Sequence, residues 1–136
     1  MKGRDVQILL RAESEEGTER MCLPARVRGS RFVFGREGDL FSVDVPREGA
    51  VHISRRGEIS YRLVLEEGAE TAARIRTPYG EIEAAVQTLS SVVRGEGCRI
   101  CLECTYVLLF GDWERRCRIT FTARPRSAAE NGEEEV

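Results

Sequence analysis

The strongest structural signal in the chain is the segment 98–124, CRICLECTYVLLF-GD-WERRCRITFTAR, in which two long runs flank Gly111-Asp112. From Cys98 to Phe110 every second residue is apolar or nearly so, and charged or polar residues stand between them. This period of two predicts a β-strand with one buried face. Glycine and one further residue between two such runs indicate a type II′ turn, whose twist suits an antiparallel hairpin. The segment therefore predicts a long hairpin with one face in the core.

Three cysteines in this hairpin, Cys98, Cys101 and Cys104, are spaced like part of a metal-binding knuckle. At about 3.3 Å per residue, an extended strand sets the first and third roughly 20 Å apart and turns the second to the opposite face. The ligands of one zinc ion must all lie about 2.3 Å from it, and no turn residue interrupts this strand. We interpret the spacing as structural and predict neither a metal site nor a cofactor.

The turn also predicts the register of the hairpin. With 110 opposite 113, Tyr106 faces Cys117 and Cys104 faces Ile119. Cys104 and Cys117 are then diagonal neighbours on the inner face, about 7–8 Å apart, which exceeds the usual reach of a disulfide. The chain has five cysteines and no export signal, so we expect reduced thiols.

Period-two alternation continues through the rest of the chain, and no long stretch follows the helical i, i+3, i+4 pattern. Breaks rich in glycine and proline separate the runs. Ten strands are predicted, at 4–14, 18–28, 31–35, 40–45, 50–54, 58–66, 71–77, 81–94, 98–110 and 113–124.

Ten antiparallel strands predict an all-β fold. A flat sheet with strands this long would leave two extended edges, and closure into a barrel removes them. We predict a single antiparallel β-barrel of about 8–10 strands, with a two-sheet sandwich as the competing architecture. The barrel domain is predicted to span residues 1–125. Residues 126–136, rich in Ser, Ala, Asn, Gly and Glu, are predicted to form a disordered acidic tail.

Composition limits the function classes. The net charge is −2, but the last ten residues hold four acids and no base, so the remainder is close to neutral and predicts no nucleic-acid binding. No apolar run approaches the roughly 18 residues of a membrane span, which predicts no membrane insertion. The apolar core of the N-terminus, residues 6–10, is short for a signal peptide, and we expect a cytoplasmic protein.

Few residues suggest catalysis. His52 is the single histidine, between Val51 and Ile53, so multi-histidine metal sites are excluded and its side chain is expected to face solvent. Glu81 and Glu83 share one face of a strand, as paired glycosidase carboxylates do, but a solvated outer face is the better interpretation. No glycine-rich phosphate loop or zinc pattern is present.

Residues 71–77 form the least apolar predicted strand, and their inner face is ambiguous. If Ala73 and Ile75 point inward, Arg74 and Arg76 lie on the surface, which is the favoured orientation. If the arginines point inward, the barrel holds two guanidinium groups that require carboxylate, phosphate or carbonyl partners. Both orientations remain open at this stage.

The segment after this strand, TPYGEIE at 77–83, places an aromatic residue before Gly-Glu-Ile. Together with Thr88-Leu89, the Gly97 turn, residues 102–109 and the closing strand to Phe121, it resembles the YwiB-like family of bacterial proteins, a domain of unknown function grouped with calycin-like β-barrels. The resemblance implies a calycin- or lipocalin-like barrel and brings no catalytic residues. The short 46–49 connection and the cysteine-rich strand depart from the family pattern.

We expect a non-catalytic protein that binds a small apolar or anionic ligand in the barrel mouth. One alternative is a protein-interaction module that uses a sheet edge, for example as a homodimer, or the acidic tail. The other is an enzyme with paired polar residues inside the barrel. A cavity of roughly a few hundred Å³ would favour ligand binding. The candidate lining residues are Tyr61, Arg74, Arg76, Tyr79 and Tyr106.

Overall fold

The computed structural model describes residues 3–126, which form ten β-strands and contain no helix. Within this range no helical segment is therefore long and apolar enough to cross a membrane. The strands are β1 Arg4–Ser14, β2 Gly17–Arg28, β3 Arg31–Arg36, β4 Asp39–Asp44, β5 Val51–Arg56, β6 Tyr61–Leu65, β7 Glu70–Thr77, β8 Gly80–Glu96, β9 Arg99–Phe110 and β10 Trp113–Pro125.

All ten strands belong to one antiparallel sheet, in the order β6-β5-β4-β3-β2-β1-β10-β9-β8-β7. The first and last strands of the chain pair with each other, from Val6 opposite Pro125 to Ser14 opposite Cys117. The ends of the sheet, β6 and β7, meet at a bridge between Ser60 and Arg76. The sheet is thus nearly closed, which confirms the predicted antiparallel barrel over the two-sheet sandwich. The likeness to calycins and lipocalins stays a prediction.

The β9–β10 hairpin has the predicted register. Tyr106 lies opposite Cys117 and Cys104 opposite Ile119. Gly111 has a φ of 61° and Asp112 has a negative φ, as a type II′ turn requires.

Large apolar side chains fill the middle of the barrel. The rings of Phe32 and Phe121 meet edge to face with centroids 5.2 Å apart, and Phe34 stacks on Phe121 at 6.2 Å. Complete burial of a large apolar side chain stabilises a fold by about 1.5–3 kcal/mol. The largest fully buried side chains are Phe32, Phe121, Ile8, Leu65, Leu102, Val6, Val43, Val86 and Cys104.

The largest departure from the predicted strand bounds is at β6, which starts at Tyr61 rather than at residue 58. The Ser60 hydroxyl donates to the Gly57 carbonyl at 3.1 Å and accepts from its N–H at 3.2 Å, which closes a turn here. A Cβ at position 57 would collide with the carboxylate of Asp39, so a larger residue here would force that side chain to move. Of the predicted tail, residues 127–136 lie outside the described residues.

Candidate functional site

The barrel is incompletely closed between β6 and β7, although these strands follow each other in the chain. Ser60 and Arg76 exchange two backbone hydrogen bonds of 2.9 and 2.8 Å. Within residues 3–126 this pair is the only backbone hydrogen bonding between the two strands. Further along, the Thr71 hydroxyl donates to the Val64 carbonyl at 2.7 Å. We call the gap between residues 60–65 and 71–76 the β6–β7 seam.

The loop between these strands is bonded to β8 instead of continuing a β6–β7 hairpin. The Gly68 N–H donates to the Thr88 carbonyl at 2.9 Å, and the Thr88 N–H donates to the Ala69 carbonyl at 3.1 Å. The Glu67 carboxylate accepts the Ser91 N–H at 2.9 Å, just beyond an irregularity in the β8–β9 ladder. These bonds align the start of β7 with β8 and leave its other edge facing β6.

On the inner side of the seam, a cavity of about 500 Å³ opens at the end of the barrel that carries the β1–β2 turn. We call it the mouth cavity. Both sides of the seam contribute to its wall, together with β9 and β10. Its apolar and aromatic lining includes Ile59, Tyr61, Leu63, Ile75, Tyr106 and Leu108.

Two tyrosine hydroxyls are the polar groups of the inner wall. Burial raises the pKa of Tyr106 well above its ordinary value of 10.0, and the adjacent Cys117 and Tyr61 raise it further. Burial also raises the pKa of Tyr61, and the neighbouring Arg55 partly offsets this effect. Arg55 is itself held by Asp39, with 2.7 Å between Nη2 and Oδ2. Both phenols therefore stay protonated near neutral pH and can donate hydrogen bonds.

The two buried thiols also stay protonated near neutral pH. Burial raises the pKa of Cys117 in the cavity wall and of Cys104 in the core, and the Cys104 thiol donates to Ser91 Oγ at 3.4 Å. Cys98 and Cys101 are half-buried and Cys22 is exposed. Across residues 3–126 no group of three or more His, Cys, Asp or Glu side chains is arranged to hold a metal ion.

Ionic side chains form part of the cavity rim. Arg115 forms an ion pair with Glu16 and lies over the ring of Trp113, with Cζ 4.6 Å from the ring centroid. Glu19 also lines the rim. Arg118, the other arginine that lines this cavity, pairs with Glu103, so among residues 3–126 the entrance offers no unpaired arginine to an anionic ligand.

The outer side of the seam is a separate groove of about 680 Å³, which we call the outer groove. Serine hydroxyls and the imidazole of His52 contribute to it, and Asp44 is its one acidic lining residue among those described. The side chain of His52 points outward, as expected, but it is half-buried, and its Nδ1 has no hydrogen-bond partner among the described residues. Six arginines line the groove: Arg31, Arg55, Arg56, Arg62, Arg74 and Arg76.

The structure separates the five predicted ligand-binding residues. Tyr61 and Tyr106 meet at the mouth cavity, as expected for residues that line the barrel. Arg74 and Arg76 lie exposed on the outer face, so the alternative with both arginines inside the barrel is wrong. Tyr79 is 99% exposed in the β7–β8 turn and lines neither cavity.

Glutamates on β8 explain the outward orientation of these arginines. Arg74 lies opposite Glu83, 3.2 Å from its carboxylate, and Arg76 lies opposite Glu81 at the same distance. The tight turn at residues 78–79 sets this register, and the outward orientation of both glutamates was predicted. The pairing could therefore have been read from the sequence.

Other lining residues of the mouth cavity were missed. Alternation predicts that Leu63 points inward, and Leu108 lies on the predicted inner face of β9. Neither pattern indicates which end of the barrel the residue occupies, because that depends on the register of all ten strands. Ile59 was placed in a strand but lies in the turn before β6.

A model of the family described as "Domain of unknown function (DUF1934)" matches residues 38–118, more than half of the chain. None of the curated proteins matches the chain. The fold is similar to that in the crystal structure of the ywiB protein from Bacillus subtilis, with a TM-score of 0.68. The likeness covers 93% of each chain at 18% sequence identity, so it shows the fold alone.

Proposed function

The chain belongs to the DUF1934 family, whose description gives no function, and we propose that it is a non-catalytic protein that binds a small, largely apolar ligand in the mouth cavity. One observation carries the proposal: at this end of the barrel about 500 Å³ is enclosed by inward-facing aliphatic side chains and two tyrosines. This volume lies within the range of about 300–1,000 Å³ that is usual for small-molecule sites.

The lining favours an apolar ligand over an anionic one. Ile59, Leu63, Ile75 and Leu108 supply hydrocarbon surface, and two protonated phenols supply hydrogen-bond donors. The arginines that motivated an anionic ligand point away from this cavity. A ligand with an apolar body and one carbonyl or hydroxyl group matches this wall.

The pKa shifts support a binding role over a catalytic one. A general base or nucleophile needs a pKa near neutrality, whereas burial moves the pKa of Tyr106, Tyr61 and Cys117 upward. The single histidine lines the outer groove rather than this cavity. The five free thiols, two of them buried, suit a reducing compartment, and we propose the cytoplasm.

Pairing through a sheet edge has less support. The unpaired edges of β6 and β7 face each other across the seam instead of facing a second copy of the chain. An interaction role, including a homodimer, therefore rests on no specific surface of the described residues.

The proposal can be tested with N-phenyl-1-naphthylamine, a neutral apolar dye whose fluorescence rises on burial. We expect saturable binding at one site per chain. Ile75→Trp places an indole in the cavity wall and should weaken binding about tenfold. Val92→Trp is the matched control, because Val92 is 43% exposed and lies outside the cavity.

Two results would contradict a mouth site: the absence of saturable binding, and equal weakening by both tryptophan variants. Circular dichroism and thermal unfolding of each variant verify that the barrel is intact. Native mass spectrometry of the chain purified from its own host then seeks the physiological ligand as an adduct that Ile75→Trp removes and Val92→Trp retains.

A further inference from the structure

We propose that the outer side of the β6–β7 seam is a binding site for a phosphate-type oxyanion, held between Arg62 and Arg74. This site is distinct from the mouth cavity: it lies on the outer face of the β6–β7 seam, whereas the mouth cavity lies on the inner face. Three features of the seam support this site: the strand register, the unpaired backbone groups and the balance of charge around the outer groove.

The register places two arginines opposite each other. Continuing the antiparallel pairing inward from Ser60 and Arg76 sets Arg62 opposite Arg74. Like charges at directly opposed positions destabilise a sheet. The backbone hydrogen bonds between the two strands stop at the position where these charges meet.

Like charge does not open a sheet by itself. Arg11 and Arg20 also lie opposite each other, in the continuous β1–β2 ladder. At the seam the repulsion acts together with the bonds that hold the 66–69 loop on β8. A bound anion would give Arg62, which has no carboxylate partner among the described residues, an attractive pair, and it would share Arg74 with Glu81 and Glu83.

Backbone donors face the same gap. In an antiparallel ladder the N–H groups of alternate residues point to the same side of the strand. Since the N–H groups of Ser60 and Arg76 point into the seam, those of Arg62 and Arg74 do so as well. Within residues 3–126 neither has a backbone acceptor across the gap, so both can donate to oxygen atoms of a ligand.

Hydroxyl groups extend the site beside Arg62. Ser54 is its cross-strand neighbour on β5, and the Ser54 hydroxyl contacts that of Ser42 at 2.5 Å. Both serines and His52, with its unpartnered Nδ1, line the outer groove. Hydroxyl groups and an imidazole N–H can donate hydrogen bonds to an anion without adding negative charge.

The groove has more guanidinium groups than carboxylates to neutralise them. Arg74 and Arg76 share Glu81 and Glu83. Among the described residues, no carboxylate lies within ion-pairing distance of the guanidinium groups of three further arginines. These are Arg31, Arg56 and Arg62.

The chemistry of the groove favours a compact oxyanion. Guanidinium groups bind phosphate oxygens through two parallel hydrogen bonds, which suits a group with several acceptors and more than one charge. Binding of single-stranded nucleic acid usually adds several stacked aromatic rings, whereas among residues 3–126 only Tyr61 and His52 bring a ring to this groove. Phosphate and pyrophosphate, free or carried as esters, share the required chemistry.

Sodium pyrophosphate is the probe, titrated into the full chain at constant ionic strength set with chloride and followed by ¹H–¹⁵N NMR. We expect saturable shifts at the amides of Arg62, Arg74 and Ser54. Arg62→Gln should weaken binding at least tenfold. Arg11→Gln removes the same charge from an arginine that also faces an arginine, but in a closed ladder, and should leave binding within twofold of the parent chain.

Amide hydrogen exchange gives a second readout of the same site. Pyrophosphate should slow exchange at Arg62 and Arg74 several-fold, because the anion accepts from their N–H groups. A phosphate monoester is titrated in parallel with pyrophosphate. Tighter binding of the monoester would indicate an esterified ligand, and tighter binding of pyrophosphate a free ion.

Three results would overturn the assignment: shifts that never saturate, equal weakening by both glutamine variants, or a single-stranded oligonucleotide that binds more tightly than pyrophosphate. Since the naphthylamine dye is neutral and enters the mouth cavity, Arg62→Gln should leave its binding unchanged. Failure of one site is therefore distinguishable from failure of the other.

Discussion

The barrel is closed by two pairs of strands, β1 with β10 and β6 with β7, which we call the two closures. Their separation along the chain does not explain how completely each pair is hydrogen-bonded. β1 and β10 stand at opposite ends of the chain, yet they pair continuously from Val6–Pro125 to Ser14–Cys117. β6 and β7 are neighbours in the chain, yet a single bridge joins them. Loop-closure entropy favours the second pair, so side chains and tertiary contacts must outweigh it.

The side chains on the outer face contribute to the difference between the two pairs of strands. Between β1 and β10, Leu10 lies opposite the fully buried Phe121, and on the outer face Glu13 lies opposite Arg118. These are apolar and opposite-charge pairs, each of which stabilises a sheet by about 0.2–1 kcal/mol. The seam instead sets arginine against arginine. This like-charge pair acts together with the bonds between the 66–69 loop and β8, which align the start of β7 with β8 instead of with β6.

The largest expected loss of stability comes from a substitution at the β1–β10 closure. Phe121→Ala should lower the free energy of unfolding by about 3–5 kcal/mol, because it leaves a cavity beside Phe32 and Phe34. At the seam, Val64→Ala removes a half-buried side chain and should cost less than about 1 kcal/mol. Urea unfolding measures both values, and similar losses at the two positions would contradict the contrast.

Proline substitution tests the backbone of each closure. Thr120→Pro removes a ladder hydrogen bond inside a strand that is paired on both sides and leaves its acceptor unpaired, and we expect a loss of about 1–3 kcal/mol. Ala72→Pro changes a residue whose N–H points into the seam, and it should cost about 1 kcal/mol or less. Equal destabilisation in thermal and urea unfolding would mean that the seam is closed in solution.

Alkaline pH should weaken the end of the barrel beside the seam. Because burial raises the pKa of Tyr106 above 10.0, the folded chain holds this proton more tightly than the unfolded chain does. Its stabilisation is full below the unfolded pKa of about 10 and is lost as the pH rises through the folded pKa. Cys117 and Cys104, raised from 9.0, act in the same direction.

Urea unfolding between pH 8 and pH 11 measures this loss. Tyr106→Phe should make the decline shallower, whereas Tyr79→Phe, at an exposed turn, should leave it unchanged. A decline of the same slope in both variants would contradict the assignment to Tyr106.

The smallest expected effect tests the charge at the seam. Arg62→Glu replaces the like pair opposite Arg74 with an opposite pair and should stabilise the chain by roughly 0.2–1 kcal/mol. The amide of Arg74 should then become more protected from exchange. Arg11→Glu makes the same change opposite Arg20, where the ladder is already closed, and should leave amide protection unchanged. Loss of stability in Arg62→Glu would contradict a role for repulsion.

Much of the fold could be predicted because its information is local. Alternation set the inner face of each strand, and the Gly111 turn determined the register of the last hairpin, as the structure confirms. The start of β6 was wrong by three residues because the Gly57 turn depends on packing against Asp39, a contact distant in the sequence.

The candidate site was less accessible to prediction. Tyr61 and Tyr106 follow from alternation, but their meeting at one end requires the registers of strands far apart in the chain. The seam was not predicted at all, since consecutive strands normally pair. It depends on the bonds between the 66–69 loop and Thr88, which no local sequence pattern predicts.

Hydrogen exchange of the full chain, measured by NMR without any ligand, tests the contrast between the two closures most directly. We predict that the amides of Arg62, Ala72 and Arg74 exchange far faster than those of Leu10 and Phe121, which should approach the protection set by global unfolding. Protection at the three seam amides equal to that at Leu10 and Phe121 would contradict the open seam, and with it the oxyanion site.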